Sequence, residues 1–339
     1  YNSLKWDKRI EPVRYQEAKK SYVETLELVS ANAINKFFAL ATAQSNYDIA
    51  SFNYANADTL YRYAQGRYNI GTITENEMLQ LELNRLTEET NRMNARIEMD
   101  NCMQELRSYL GIQEEREIRV RVSSRIPDFS INLNEALALA YENSPDIQTM
   151  KRRKLESESA VARARANAGL KADIYLRFGL TQTADKLPEA YRNLLDQQYV
   201  SLSISLPILD WGRGKGQVRV ARSNRDLVYT QVEQNRTDFE LNVRKLVKQF
   251  NLQTQRVRIA ARTDETAQRR NEVARKLYIL GKSTILDLNA SISEKDSARR
   301  NYVSALYNYW SLYYTLRSMT LYDFESNKLL TEDYNLLIE

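Results

Sequence analysis

The chain has 339 residues, 43% of them apolar and 27% charged, with a formal net charge of +5. It holds only 9 Gly and 5 Pro, far below the ~7% and ~5% of ordinary globular chains, so turns are few and the elements are long. With no His and one Cys, Cys102, the commonest zinc and copper ligand sets and an intramolecular disulfide framework are excluded. No metal or cofactor is expected. The mild positive charge permits contact with anionic lipid or nucleic acid, but an ordinary solvated surface accounts for it, and no nucleic-acid partner is expected.

The chain opens Tyr1-Asn2-Ser3 without Met, so its start is read as processed or truncated, and a missing leader sequence carries no weight. Between Pro12 and Gly66 there is neither Gly nor Pro, and the same holds from Thr72 to Leu110. At 1.5 Å per residue the first of these spans about 80 Å if helical throughout. A third such stretch runs from Asp146 to Ala168.

Two segments then change period. Ile174, Leu176, Phe178 and Leu180 alternate with Asp173, Tyr175, Arg177 and Gly179, and Val200, Leu202, Ile204 and Leu206 alternate with Tyr199, Ser201, Ser203 and Ser205. Each reads as a strand with one apolar and one polar face, of the length a tilted membrane-crossing strand needs, about 9–11 residues. A polar connection including Thr181, Asp185, Lys186, Pro188 and Gln197 joins them into a hairpin at about 172–207. On this pattern alone a membrane hairpin and a soluble one both stand, although a lone hairpin is marginal in water.

A fourth stretch without Gly or Pro covers Gln217 to Leu280, and a fifth runs from Lys282 to the end. The fourth is rich in Arg, Gln, Glu, Leu and Ala, with apolar residues such as Val232, Phe239, Val243, Leu246 and Phe250 at helical spacing. Its stripe is thin, so such a helix needs neighbours. No apolar run approaches the roughly 18 residues of a membrane-spanning helix.

The chain repeats itself. Tyr68-Asn69-Ile70-Gly71-Thr72-Ile73-Thr74 aligns without a gap on Tyr278-Ile279-Leu280-Gly281-Lys282-Ser283-Thr284, which sets Glu77 opposite Asp287. Leu4-Lys5-Trp6 resembles Leu209-Asp210-Trp211, each opening a long helix. A period near 210 residues is too long for a solenoid, so the chain is two copies of one large unit: residues 1–134, then 135–339 with a helix and the hairpin ahead of its helical pair. The first copy lacks a counterpart of that helix and hairpin, which are expected upstream.

Three segments carry a resemblance to the TolC-type outer-membrane efflux proteins. Tyr278, Gly281, Thr284 and Asp287 resemble the family's second helical turn. Ile204-Ser205-Leu206-Pro207-Ile208-Leu209-Asp210-Trp211-Gly212-Arg213 is similar to its strand-to-helix junction. Glu135 to Ala140 followed by Asn143-Ser144-Pro145-Asp146 resembles the opening of its second repeat. The order of the three, with the duplication and the strand pair, carries the resemblance across nearly the whole chain.

The resemblance implies a mainly α protein whose long helical hairpins form a periplasmic α-barrel, joined to a membrane β-barrel. It implies a homotrimer acting as a passive outer-membrane exit duct for efflux or type I secretion, partnered by a periplasmic adaptor, an inner-membrane pump and outer-membrane lipid. On this reading the tip residues Tyr68, Gly71, Thr74, Tyr278, Gly281 and Thr284 meet the adaptor, and Asp287, with Glu77 as its counterpart, lies at the constriction. Ile174, Leu176, Phe178, Leu180, Val200, Leu202, Ile204 and Leu206 face lipid, while Arg213 and Lys215 reach headgroups. Ala290 and Ser283 depart from the pattern, standing where some members carry a second acid and a basic partner, which implies a weaker charged ring.

Simpler structural readings stand beside these. Gly71 and Gly281 serve as helix C-terminal punctuation, and Thr74-x-x-Glu77 and Thr284-x-x-Asp287 as capping boxes. The run Tyr302, Tyr307, Tyr309, Trp310, Tyr313 and Tyr314 reads as helix packing. Trp6 and Trp211 suit an interfacial aromatic belt or junction packing equally. Gly212, Gly214 and Gly216 lack the spacing of a phosphate loop and read as a flexible bend. No nucleophile–base pair is visible, so an enzyme is not expected. The competing class is a soluble or peripheral long-helix scaffold, which the alternating hairpin disfavours.

Overall fold

The computed structural model describes residues 1–114, 117–124, 126–181, 195–205 and 209–330. Its elements in chain order are α1 (Ser3–Asn69), α2 (Glu75–Tyr109), α3 (Leu133–Asn143), α4 (Pro145–Asn167), β1 (Lys171–Thr181), β2 (Leu195–Ser205), α5 (Arg213–Ile279), α6 (Ile285–Thr320), and a small pair, β3 (Tyr322–Asp323) and β4 (Lys328–Leu329). The protein is mainly helical. Helices α1 and α5 are each 67 residues long, and α2 and α6 have 35 and 36, so the duplication read from the turns extends to helix lengths.

Helix boundaries differ from the chain-breaker map in three places. Helix α1 begins at Ser3 and passes through Pro12 and Gly66, and α5 begins at Arg213 and passes through Gly214 and Gly216. A helix tolerates these residues when tertiary packing outweighs a local cost of about 1 kcal/mol for Gly and about 3 for Pro. The last helix stops at Thr320 rather than continuing, because Leu321 turns left-handed at φ 47° and leads into β3.

Two compact units divide the chain: Tyr1–Lys19 with Pro145–Phe239, and Lys20–Ser144 with Glu240–Glu339. In the first, α4 is held to the start of α1 and to α5 largely by polar contacts. The Tyr1 and Ser159 hydroxyls are 2.7 Å apart, and Arg152 grips the Glu17 carboxylate at 2.5 and 3.0 Å, while Thr149 donates to it at 2.8 Å. The Arg152 hydrogen bond, with help from Thr149, holds the Glu17 carboxyl below its ordinary value. Lys154 pairs with Glu233 at 2.8 Å, and the Tyr229 hydroxyl donates to Glu158. Strands β1 and β2 form an antiparallel hairpin in which Ala172, Ile174 and Leu176 oppose Ile204, Leu202 and Val200. Directly opposed residues share a face, so these side chains form one apolar surface, and Asp173, Tyr175, Ser201 and Ser203 lie on the other.

In the second unit the long helices form a row in the order α2, α1, α6, α5. Lys36 pairs with Glu105, and Arg85, Arg92 and Arg96 of α2 lie over the rings of Tyr61, Tyr54 and Tyr47 of α1. Asn53 donates to Asp296 at 2.6 Å and Tyr307 to Asn35 at 3.1 Å, joining α1 to α6. Arg299 pairs with Asp264, Asn271 donates to Ser291 and Gln253 to the Ala305 carbonyl, joining α6 to α5.

One regularity underlies the row. Ala43, Ala50, Ala57 and Ala64 recur every seven residues on α1, all buried, and Tyr47, Tyr54, Tyr61 and Tyr68 recur every seven residues four places later. The 4–3 alternation is a coiled-coil seam of small and large residues, which keeps one face turned towards its neighbours along the helix.

The extended segment before α3 is pinned by side-chain amides standing in for a neighbouring strand. Gln44 donates to the Ile118 carbonyl and accepts from the Val120 N–H, while Asn251 accepts from the Ile131 N–H and donates to its carbonyl. Behind this segment Phe129, Phe250, Tyr309 and Tyr313 form an aromatic cluster, with Phe250 and Tyr309 fully buried. The tyrosine run of α6 is therefore packing, with the Tyr309 hydroxyl donating to the Pro127 carbonyl and burial pushing the hydroxyl's pKa up.

Arg317 of α6 ties this core to α1 and β3. It pairs with Glu27 at 3.0 Å and with Asp323 at 3.5 Å, its side chain 16% exposed. Removing one member of such a pair leaves a charge without adequate compensation. Glu27→Ala is therefore expected to destabilise the protein by about 3 kcal/mol, with Glu27→Gln costing less because it keeps an acceptor; the shift in the denaturation midpoint of the helical circular-dichroism signal measures both.

Candidate functional site: the paired helix turns and the strand-to-helix junction

The two helix–helix turns are built the same way. After α1, Gly71 at φ 70° donates to the Tyr68 carbonyl at 2.8 Å and Thr72 to the Arg67 carbonyl at 2.9 Å. After α5, Gly281 at φ 70° donates to Tyr278 at 3.0 Å and Lys282 to Leu277 at 2.9 Å. This paired 5→2 and 6→1 bonding is the Schellman motif, and its left-handed residue is Gly because a Cβ there is disfavoured by about 1–2 kcal/mol.

Each following helix opens with a capping box. The Glu77 N–H donates to the Thr74 hydroxyl at 3.2 Å and the Thr74 N–H to the Glu77 carboxylate at 3.0 Å. The Asp287 N–H donates to the Thr284 hydroxyl at 3.2 Å, and the Asp287 carboxylate accepts from that hydroxyl at 2.9 Å and from Ser283 at 3.2 Å. The Thr284 hydroxyl and N–H, then Ser283, hold the Asp287 carboxyl below its ordinary value. Ser283 therefore supports the acid at the position where the resemblance places a basic partner in some members.

The second unit brings the two turns together. Tyr278 is half-buried, burial raises its pKa, and it lies within the electrostatic reach of Arg67, Glu77 and Tyr63. Arg67 in turn sits over the Tyr63 ring at 5.8 Å. Sequence reasoning missed Arg67, since Leu277 is its counterpart in the other repeat and the alignment gives it no signal. Arg270 also acts on Asp287 while paired with Glu294.

At the junction, Leu206, Pro207 and Ile208 lie outside the described residues, so the lipid-facing expectation for Leu206 has no structural account. Asp210 caps α5: its carboxylate accepts from the Gly212 N–H at 2.9 Å and the Gly214 N–H at 2.8 Å, the two bonds that lower its pKa. The cap places a negative group at a helix start that Arg213, Lys215 and Arg219 would otherwise make wholly cationic. Arg213 and Lys215 are exposed. The glycines are not a flexible bend. Gly212 is needed for φ 81°, and a Cβ on Gly214 would stand 2.8 Å from the Asp210 carboxylate and 3.0 Å from the Ala168 Cβ. Trp211, at φ 53° and 90% exposed, sits in this turn, whereas Trp6 lies inside α1 against Arg9, so the two openings differ locally.

The seven predicted lipid-facing residues that are described are all exposed in the chain, from Leu176 at 56% to Phe178 at 70%. Near the connection the apolar face gives way, since Phe178 and Leu180 oppose Gln198 and Asp196.

A hairpin with one bare apolar face and a set of duplicated long helices are the parts of a known family, whose model, outer membrane efflux protein, matches residues 136–320. The chain belongs to the outer membrane efflux protein family. It is thus a channel-family protein of the outer membrane, with its helical portion in the periplasm.

Solved structures agree in fold. The CmeC outer membrane channel of Campylobacter jejuni superposes with a TM-score of 0.76 at 16% identity, over 98% of this chain and 70% of its own. A membrane protein from Pseudomonas aeruginosa gives 0.71 at 11% identity, over 94% and 71%, and the outer membrane protein VceC of Vibrio cholerae gives 0.69 at 16%, over 93% and 76%. No curated protein sequence matches this one significantly.

The hydrogen bonds at the second turn make a pH prediction. Asp287 is expected to titrate below the ~3.9 of a free aspartate. A depressed folded-state pKa contributes stability that is present above the unfolded value and lost as pH falls through the folded one. Thr284→Ala is expected to move the Asp287 midpoint up towards the free value and to cost about 1 kcal/mol from the lost cap; carboxyl-carbon NMR of aspartate-labelled protein reads the first effect and thermal unfolding the second.

Proposed function

We propose that this chain is one protomer of a trimeric exit duct, carrying small molecules or proteins passively outward from an inner-membrane pump joined to it by a periplasmic adaptor. The observation that carries this reading is the state of the two outer helices of the row. Helix α2 leaves Leu79, Leu83, Leu86, Met93 and Ile97 exposed along one face, and α5 leaves Leu252, Ile259, Val273 and Leu277 exposed, with Leu280 just past its end. Gaps of four, three, seven and four on α2, and of seven, fourteen and four on α5, keep each set on one side of its helix, and apolar sides at both ends of a row call for more helices of the same kind.

The charges of the two outer helices are complementary. Helix α2 carries eight acidic and four basic residues, while the Glu240–Ile279 part of α5 carries ten basic and four acidic. An edge of one sign meeting an edge of the other is a heterologous contact, and such contacts make a ring when the rotation closes. A closed ring of rows encloses a tunnel.

The hairpin supports the membrane half of the reading. In lipid an open pair has unsatisfied edges, so β1 and β2 must join further strands into a closed barrel. Their apolar face, Ile174, Leu176, Phe178, Leu180, Val200, Leu202 and Ile204, then meets lipid, with Arg213 and Lys215 at the headgroups. In this reading the chain is two repeats, 1–134 and 135–339. The turns carrying Tyr68, Gly71, Thr74, Tyr278, Gly281 and Thr284 form the tip that meets the adaptor, and Asp287 and Glu77 ring the constriction.

Single-channel recording of the protein in planar bilayers tests the duct: a stable conductance is expected, and folded, oligomeric protein that never inserts sinks the reading. Leu83→Glu is expected to shift the purified protein from trimer to monomer in mass photometry by placing an unpaired carboxylate in the α2 edge, while leaving the helical signal within a few per cent. A variant as trimeric as the parent would remove α2 from the contact.

A further inference from the structure

Beneath the paired turns, the second unit forms a partly open pocket of about 170 Å³ between α1, α5 and α6, with Tyr63, Ile279 and Arg275 exposed at its rim. Leu60 and Tyr63 of α1, Tyr278 and Ile279 of α5, and Leu288 and Ile292 of α6 give it an apolar, partly aromatic wall. Its size is of the order of the ~150 Å³ apolar cavity that stays dry and takes up benzene.

The polar groups around it divide into two kinds. Asn271 already donates to Ser291 at 3.0 Å, and the Thr59 hydroxyl donates to the Ala55 carbonyl at 2.8 Å, so both donors are committed. Arg275, exposed at the rim, and Asn56 also line the pocket, and among the described residues neither the guanidinium nor the amide makes an ion pair or hydrogen bond. An unpaired guanidinium beside an apolar, ring-sized space matches a planar anion, because its fork of N–H donors binds carboxylates in a bidentate manner. The Tyr278 hydroxyl supplies a neutral donor on the same wall.

We propose that this pocket binds a single-ring aromatic carboxylate, its ring between Leu60, Tyr63 and Leu288 and its carboxylate on Arg275. Such a ligand touches α1 and both members of the second helical pair at once, so it fixes their spacing just below the turns.

Benzoate is the probe, titrated calorimetrically into the protein reconstituted in nanodiscs, with benzyl alcohol as the uncharged comparison. Benzoate is expected to bind saturably and at least tenfold more tightly than benzyl alcohol. Arg275→Gln should weaken benzoate about tenfold and leave benzyl alcohol unchanged. Leu60→Phe, which fills the space from a half-buried position, should weaken both. Thermal unfolding of each variant verifies that it is folded. The proposal is overturned if benzoate does not saturate, if benzyl alcohol binds equally well, or if neither substitution changes the affinity. None of these readouts depends on conductance, so the duct reading stands or falls separately.

Discussion

The structure depends on the seam along α1. A helix of 67 residues with a thin apolar stripe has no core of its own, and its stability must come from neighbours on more than one side. Buried alanines every seven residues let a neighbouring backbone come close, and tyrosines four places on fill the wider gaps. The tyrosines Tyr47, Tyr54 and Tyr61 also receive the guanidinium groups of Arg96, Arg92 and Arg85, so the joint between α1 and α2 is amphipathic and its register is repeated. A strict seven-residue repeat imposes a left-handed twist on whatever packs along it. The large excess of Tyr over Phe follows: a ring that is packed on one side and wet on the other needs a hydroxyl.

The joints of α6 with α1 and α5 add polar pairs to their apolar and aromatic packing. Asn53 with Asp296, Asp264 with Arg299 and Asn271 with Ser291 are buried or half-buried pairs that offer less energy than apolar packing but tolerate only one alignment. Long helices with weakly patterned stripes slide readily by a turn, and such pairs resist sliding. The row therefore holds its register internally, while its outer helices α2 and α5 leave apolar residues exposed and carry opposite net charge. That asymmetry separates intrachain contacts from the contacts left for assembly.

Much of this was legible in the sequence because it rests on local chemistry. Gly71 and Gly281 turn left-handed, Thr74 and Thr284 cap, and the alternation of β1 and β2 survives in the register, since each feature needs only a few adjacent residues. The run of long helices followed from the scarcity of breakers. What stayed hidden depends on contacts distant in sequence. Helix α1 passes through Pro12, and α5 through Gly214, because packing supplies what the local preference lacks, and for Gly214 the Cβ-free surface against Ala168 is the reason the residue is there. Gln44 and Asn251, which hold the segment before α3, carry no sequence mark, since an amide that replaces a strand looks like any surface amide. Arg67 was missed for the same cause. The Ala–Tyr seam was readable, but only to a search at period seven rather than for apolar residues, because alanine and tyrosine both score as weak.

The two turns show how folding chemistry can prepare a functional charge without a dedicated device. An acid at the third position of a helix is selected locally because it caps the backbone and complements the helix dipole. The same hydrogen bonds that order the turn stabilise the ionised form and hold the Asp287 carboxyl below its ordinary value. Ser283 adds a third donor where a cationic partner would have neutralised the group. In one protomer this is a well-made cap. In the trimeric duct proposed above, three copies around the tunnel mouth would be a set of fixed negative charges as rigid in position as the helix ends themselves. Ion preference at the tip would then follow from helix capping and symmetry, with the turn glycines governing it indirectly by fixing where those helices begin.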